Sequence, residues 1–506
     1  MSARSLMIMG TASDVGKSVV VTGLCRLFAN AGIRVAPFKS QNMSNNAAVC
    51  PNGGEIGRAQ AVQAEACGLE PTVDMNPVLL KPESDRGCQV VIRGQARFRM
   101  TTREYSHYRE QAWPEIVSSY ARLAAQFEVI VIEGAGGAAE VNLRNRDIVN
   151  WPVAELANAP VLIVADIDKG GALASLVGTV ILLSPSERAR VEGLIINKFR
   201  GDPALLYDGL KIIEQRTGVP ILGVLPHAGD LEIPEEDGAG LRAGTKPTPD
   251  RPIAIGVVVL PRISNYTDFA PFLREPDVSL QYIERPSLAG GLDVICLPGT
   301  KSTIADLAWL RAHGWAEFIA MHQAAGGSVV GICGGYQMMG KLIADPAHVE
   351  SEVSVAVGLG LLDIETVFEG EKITATVEGI HVMSGLAISG YEIHCGRVAR
   401  FDADAPFRIR SRDGTPFDRV EGAFHEDLRI FGTSIHGLFD APRFRRHFLN
   451  QIRTRKGLAP LEVAANEDAC AIRTKAYDRF SHLLRAHLDV SAIAKLVGIN
   501  PERLSH

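Results

Sequence analysis

The chain is poor in cysteines that could act together. Its eight are scattered and form no CxxC pair, which gives no support to a zinc site or disulfide framework and fits a reducing compartment. It has no basic excess: 52 Lys and Arg stand against 58 Asp and Glu, a formal net charge of −6. This argues against nucleic acid as main partner, since phosphate backbones are bound by basic faces. No apolar run approaches the roughly 18 residues of a membrane span, so no membrane partner and a cytoplasmic location are expected. There is no internal repeat and no low-complexity block. Met1–Met9 carries one Arg and a short apolar stretch leading straight into a glycine loop. It reads as a first β-strand, not a signal peptide.

What is present is ordinary globular composition and a length, 506 residues, that exceeds a single core, so two or three domains are expected. Short apolar runs at 5–9, 34–38, 129–132, 160–165, 193–196 and 221–225 read as buried strands. Helical patterns such as 17–31 and 55–67 lie between several of them. In the first, Val20, Val21, Leu24, Leu27 and Phe28 recur at helical spacing. Strands alternating with helices predict a parallel sheet covered on both faces. Residues 234–252, rich in Pro, Gly, Asp and Glu, are the best linker candidate. The alternation restarts at 253–260, 292–297 and 328–332. The expected organisation is an α/β chain with two parallel-sheet domains at 1–233 and 253–445, followed by a helical extension at 446–506.

Two local patterns carry chemistry. Gly10-Thr11-Ala12-Ser13-Asp14-Val15-Gly16-Lys17-Ser18 joins a strand to a helix, so backbone N–H groups and the helix start form an anion cradle. Lys17 is placed to neutralise phosphates, and Ser18 to ligate Mg²⁺. Five residues separate Gly10 from Gly16, where the usual phosphate-binding loop has four, so the loop is a variant. Glu133 ends the apolar run 129–132, at the strand end that faces the ligand crevice of a parallel sheet, and suits a second metal ligand; a plain turn-capping acid is the alternative. Asp166 and Asp168 follow another apolar run, and a turn explains them as well as a metal. Asn197 ends the strand at 193–196 and could offer an amide to an adenine edge, a weak signal on spacing alone.

The second pattern is Gly331-Ile332-Cys333-Gly334-Gly335-Tyr336-Gln337. Small residues on both sides permit the sharp strand-to-helix turn that exposes a nucleophile, and the helix start beyond it favours a thiolate. The N–H of Gly334 is placed for an oxyanion. A second donor is expected from Leu297-Pro298-Gly299-Thr300-Lys301, with Gly299 the candidate. A cysteine nucleophile needs a base. His436, before the turn at Gly437, is the first choice and His394 the second, as a site-lining or structural group. Tyr336 and Gln337 are expected to shape the pocket. An ATP site and a cysteine hydrolase in one chain imply coupled chemistry: one releases ammonia from glutamine, and the other uses ATP to prepare a carboxylate.

The cysteine elbow with a downstream histidine resembles class I glutamine amidotransferases. The glycine loop with Val131-Ile132-Glu133-Gly134-Ala135-Gly136-Gly137 resembles the dethiobiotin synthetase-like ATP domain. The two in this order are found in the corrin amidases, to which Ser40-Gln41-Asn42-Met43-Ser44-Asn45-Asn46 and Gly390-Tyr391-Glu392-Ile393-His394 are also similar. The resemblance implies glutamine- and ATP-dependent amidation of a corrin, in particular of the b, d, e and g carboxylates of an a,c-diamide. It implies Cys333 as nucleophile and His436 as base. Gly10, Thr11, Gly16, Lys17, Ser18 and Asn197 would serve ATP, with Ser18 and Glu133 on Mg²⁺. Two other readings share parts of the pattern: an enzyme that makes the a,c-diamide itself, and a MinD/ParA-like ATPase carrying an inert amidotransferase module. Class I enzymes usually place an acid two residues after the histidine, but Leu438 stands there; either Asp440 or no acid would orient His436. The anionic corrin needs basic groups, and Lys39, Lys81, Arg86, Arg93, Arg144 and Arg146 are available, each by default a solvated surface charge. The sequence leaves homo-oligomerisation open.

Overall fold

The computed structural model describes residues 3–84, 87–101, 105–229, 233, 248, 250–425, 428–463 and 469–505. The N-terminal part is built on six parallel strands in the order Ile221–Pro226, Val191–Phe199, Val161–Asp166, Arg4–Gly10, Val129–Glu133 and Val35–Phe38. Alternate side chains of each strand enter different cores, as the two-residue period of a strand requires. Met7, Met9, Ile130 and Ile132 pack on one face, and Leu6, Ile8, Val129 and Val131 on the other. Each fully buried Leu, Ile or Met contributes about 1.5–3 kcal/mol relative to exposure. That is why such strands read as continuous apolar runs.

The second parallel sheet runs Val278–Ile283, Ile253–Val258, Val294–Leu297, Ser328–Ile332 and Ile430–Thr433, with Ala423–His425 added antiparallel at its edge. Residues 41–101 and 342–436 also form two larger sheets with mainly antiparallel pairing, and a two-stranded one at Ala47–Val49 and Glu55–Gly57, that the alternation pattern did not signal. The first contains Val78–Ser84, Gly87–Ile92 and Gln95–Thr101. The second is dominated by the long hairpin Ile364–His381 and Ala387–Arg400. Short polar-interrupted strands resemble loops when read singly; pairing across a sheet decides them.

The expected linker lies outside the described residues except at 248 and 250–252. The helix Pro442–Arg455 runs across position 445 and packs through Phe444, Phe448, Leu449 and Ile452 into the core of the second parallel sheet. Beyond it the chain returns to the N-terminal sheet. Tyr477, Phe480, Leu484, Ile493 and Val497 are buried in the core on the helix Lys17–Asn30, and Arg26 makes a two-pronged ion pair with Asp478 at 2.7 and 3.1 Å. The helices Ala469–His487 and Val490–Leu496 are thus a covering layer of the nucleotide domain. No helix of the described residues is long and apolar enough to cross a membrane.

Candidate active site

The phosphate loop follows strand Arg4–Gly10 and opens helix Lys17–Asn30. Gly16 has φ +93° and a Cβ there would run into the Asn197 amide, so only glycine fits. Lys17 is buried and donates to the carbonyls of Ala12 and Gly136 at 2.8 and 3.0 Å. Its ammonium is therefore held over the cradle and not in solvent. Ser18 Oγ donates to Glu133 Oε1 at 2.8 Å, and Lys39 Nζ meets the same oxygen at 2.8 Å. Gln63 Nε2 donates to Glu133 Oε2 at 2.5 Å. Burial works to raise the Glu133 carboxyl, but the Lys39 ammonium and these hydrogen bonds outweigh it and hold it below its ordinary range.

Asn197 is brought to the loop from beneath. Its Nδ2 donates to the Val15 carbonyl at 2.9 Å and its Oδ1 accepts from the Lys198 N–H at 2.9 Å, so its amide braces the loop. Asp166 is paired with Lys198, and Asp168 with Arg200 on the surface. Among the described residues no group of three or more His, Cys, Asp or Glu could hold a metal ion. Of the basic residues expected as solvated charges, Lys39 and Lys81 correct the expectation: both are buried, paired with Glu133 and Glu55. Arg93 and Arg144 pair with nearby acids, while Arg86 lies outside the described residues.

In the second domain Cys333 sits between strand Ser328–Ile332 and the five-residue helix Gly334–Met338, at φ 50° and ψ −110°. A non-glycine residue held there stores about 1–3 kcal/mol of backbone strain, as a nucleophile elbow does. The glycines that follow permit close packing. A Cβ at Gly335 would overlap the Leu297 carbonyl, and one at Gly334 would lie 2.7 Å from Thr300 Cγ2. The loop 297–301 is thereby set against the nucleophile. Gly299 also approaches the histidine, since a Cβ on it would lie 3.0 Å from His436 Cε1. Cys333, Gly334, Gly299 and His436 converge. His394 is turned into another network, with Nδ1 on the Gly396 carbonyl at 2.8 Å and Nε2 3.4 Å from Glu392.

Neither Asp440 nor an absent acid is what the structure puts beside His436. Asp268 takes that place, its Oδ2 2.7 Å from His436 Nδ1 and its Oδ1 accepting from the Gly437 N–H at 2.9 Å. Both side chains are buried. Burial alone would lower the imidazole, but Asp268, together with Cys333, outweighs it and keeps the ring protonated up to about 10. On the other nitrogen, Asn265 Nδ2 lies 3.4 Å from Nε2. Tyr391 stacks on the imidazole, centroids 5.2 Å apart and planes inclined 18°. Asp268 and Asn265 escaped sequence reading: they lie 168 and 171 positions from His436 and carry no local motif. Tyr391 stands in the motif Gly390-Tyr391-Glu392-Ile393-His394, but nothing in that motif pointed to His436. The only available signal was the missing acid at Leu438, which required a carboxylate from elsewhere.

A cysteine elbow with an acid-oriented histidine, joined to a phosphate cradle, defines a glutamine amidotransferase coupled to a nucleotide-using ligase. Two family models match accordingly: a CobQ/CobB/MinD/ParA nucleotide binding domain over residues 6–239 and a CobB/CobQ-like glutamine amidotransferase domain over residues 254–444. Curated cobyric acid synthases are similar end to end. That of Sorangium cellulosum is 48% identical, covering 99% of this chain and all of its own. That of Syntrophobacter fumaroxidans is 46% identical over 98% and 99%, and that of Klebsiella pneumoniae subsp. pneumoniae 46% over 99% and 99%. The chain belongs to the cobyric acid synthase family, amidotransferase-type ligases of cobalamin biosynthesis.

Proposed function

We propose that the chain converts the b, d, e and g carboxylates of adenosylcobyrinic a,c-diamide to carboxamides, giving adenosylcobyric acid, with glutamine as nitrogen donor and ATP as activating reagent. The observation that carries this reading is the end-to-end similarity to cobyric acid synthases in a chain that holds both sites. A cytoplasmic location, with no nucleic-acid or membrane partner, belongs to the same reading.

Cys333 Sγ attacks the side-chain amide carbon of glutamine. The N–H of Gly334, with a second donor from the strand at Gly299, stabilises the oxyanion. As the tetrahedral adduct collapses, His436 gives its proton to the leaving amide nitrogen, so that the C–N bond breaks and neutral ammonia departs; Asp268 fixes the imidazole's tautomer and orientation. Water, with His436 as base, then releases glutamate from the thioester. In the nucleotide domain a corrin carboxylate attacks the γ-phosphate of ATP and ADP leaves. Ammonia attacks the resulting acyl phosphate and inorganic phosphate departs. Lys17 is the cation for the phosphates, in the cradle of Gly10, Thr11 and Gly16, braced by Asn197. The Ser18 hydroxyl and Glu133 carboxylate form an oxygen donor set that fits Mg²⁺, which holds few protein ligands beside substrate phosphates. When bound there, the ion supplies charge neutralisation on the phosphates.

The test is incubation with the a,c-diamide, glutamine and Mg-ATP, followed by mass spectrometry. Four successive mass decreases, each replacing a hydroxyl with an amino group, are expected. No change on the a,c-diamide but amidation of cobyrinic acid would overturn the acceptor and assign the chain to a,c-diamide synthesis.

A further inference from the structure

The helix Arg58–Ala66 belongs to the nucleotide domain but reaches both sites. At its first residue, the Arg58 guanidinium donates to the Tyr391 hydroxyl and lies 5.1 Å from the centre of that ring. The same ring is stacked with His436. Five residues on, a rise of about 7.5 Å, Gln63 donates to Glu133 and, at 3.5 Å, to the Ser18 carbonyl. The helix is pinned at both ends: the Arg58 N–H donates to the Asn46 carbonyl at 3.0 Å. Glu65 is held by Arg473 and the Tyr477 hydroxyl at 2.9 Å. One nine-residue helix, held at both ends, thus touches both sites.

Other contacts across the same boundary support the catalytic groups. The Ala47 N–H donates to Asn265 Oδ1 at 2.9 Å, fixing the amide that faces His436 Nε2. Glu83 pairs with Lys301 at 2.7 Å, and its carbonyl accepts from Arg262 and Ser302, holding the segment that follows Gly299. The glutaminase site is thus walled on one side by the nucleotide domain.

We infer that Arg58 is a positioning residue for His436, acting through Tyr391, and that helix Arg58–Ala66 couples occupancy of the nucleotide site to glutamine hydrolysis. This rests on the function proposed above. Arg58 touches neither glutamine nor the reacting atoms; it fixes the ring against which the imidazole lies. When phosphates and a cation draw on Ser18 and Glu133, Gln63 loses or changes its partner, and the helix carries that change to Tyr391.

The experiment measures glutamine hydrolysis by the full chain with and without a non-hydrolysable ATP analogue and Mg²⁺, in the wild type, Arg58→Ala, Arg58→Lys and Tyr391→Phe. The nucleotide is expected to change the wild-type kcat by about fivefold or more. Arg58→Ala should lower kcat roughly 10–100-fold with KM for glutamine little changed, and should abolish the nucleotide response. Arg58→Lys keeps a cation and a donor and should recover most of both. Tyr391→Phe removes only the hydroxyl, so it gives a second reading should Arg58→Ala fail to fold; it should weaken the response. A wild type insensitive to nucleotide, or an Arg58→Ala protein with unaltered kcat and response, overturns the inference. Amidation of the a,c-diamide with free ammonia reports the underlying function separately, because it bypasses the glutaminase site.

Discussion

The two sites treat buried charge in opposite ways. Beside Glu133 stand two buried ammoniums, Lys39 ion-paired with it and Lys17 donating to the loop carbonyls. At Cys333 the buried acid is Asp268, matched with a histidine, and Arg58 is engaged with Tyr391. The first arrangement suits a polyanionic ligand that brings its own charge. The second tunes one proton. An anion cradle can be assembled from one strand, one loop and one helix. A proton relay needs groups on different elements, each oriented by the next.

The sharpest way to separate the two is Cys333→Ala. Glutamine-dependent amidation should fall at least about 10⁴-fold, while ammonia-dependent amidation, which needs only the nucleotide domain, should persist. Loss of both rates together would break the division of labour. Next comes Asp268→Asn, expected to lower glutamine hydrolysis about 10²–10⁴-fold without affecting ammonia-dependent turnover. In the wild type the pairing raises His436 from 6.5 to about 10. The stabilisation it gives is therefore complete below about pH 6.5 and lost as pH rises through 10. Asp268→Asn should flatten that slope in urea unfolding and bring the alkaline limb of glutaminase activity towards the ordinary histidine range.

A smaller effect is expected from Lys39→Met, which leaves Glu133 buried without its cation. Chemical denaturation should show a loss of about 3–5 kcal/mol, and Mg-ATP affinity should fall, with glutamine binding unchanged. The smallest belongs to Asp168→Asn. Its partner Arg200 is exposed, so no measurable change in Tm or in ATP-dependent rate is expected. A clear fall in the ATP-dependent rate would place Asp168 in the acceptor or metal machinery.

Legibility followed the same division. Strand 328–332, the cysteine elbow and the strand–loop–helix around Lys17 could be read because neighbouring residues determine them. Glu133 could be placed at its strand end because the apolar run 129–132 stops there. Asp268 was not found, because the segment Tyr266–Arg274 carries no chemical motif, and its buried Phe269 and Phe272 mark only a packing face. Only the fold brings it to His436. Lys39 and Lys81 were misjudged for a related reason: a lysine reads as solvated unless its carboxylate partner is known, and Glu133 and Glu55 lie far away in sequence. The hairpins of residues 41–101 and the long pair at 364–400 were hidden because cross-strand partners, not local periodicity, define them.

The return of helices Ala469–His487 and Val490–Leu496 to cover the first domain sets an order on birth at the ribosome. The sheet that begins at Arg4 cannot close its core until residues near 497 have emerged, long after the amidotransferase domain is out. Until then the helix Lys17–Asn30 lacks Tyr477, Phe480 and Leu484, which complete the core around it. The two ends of the chain, made first and last, complete one core between them.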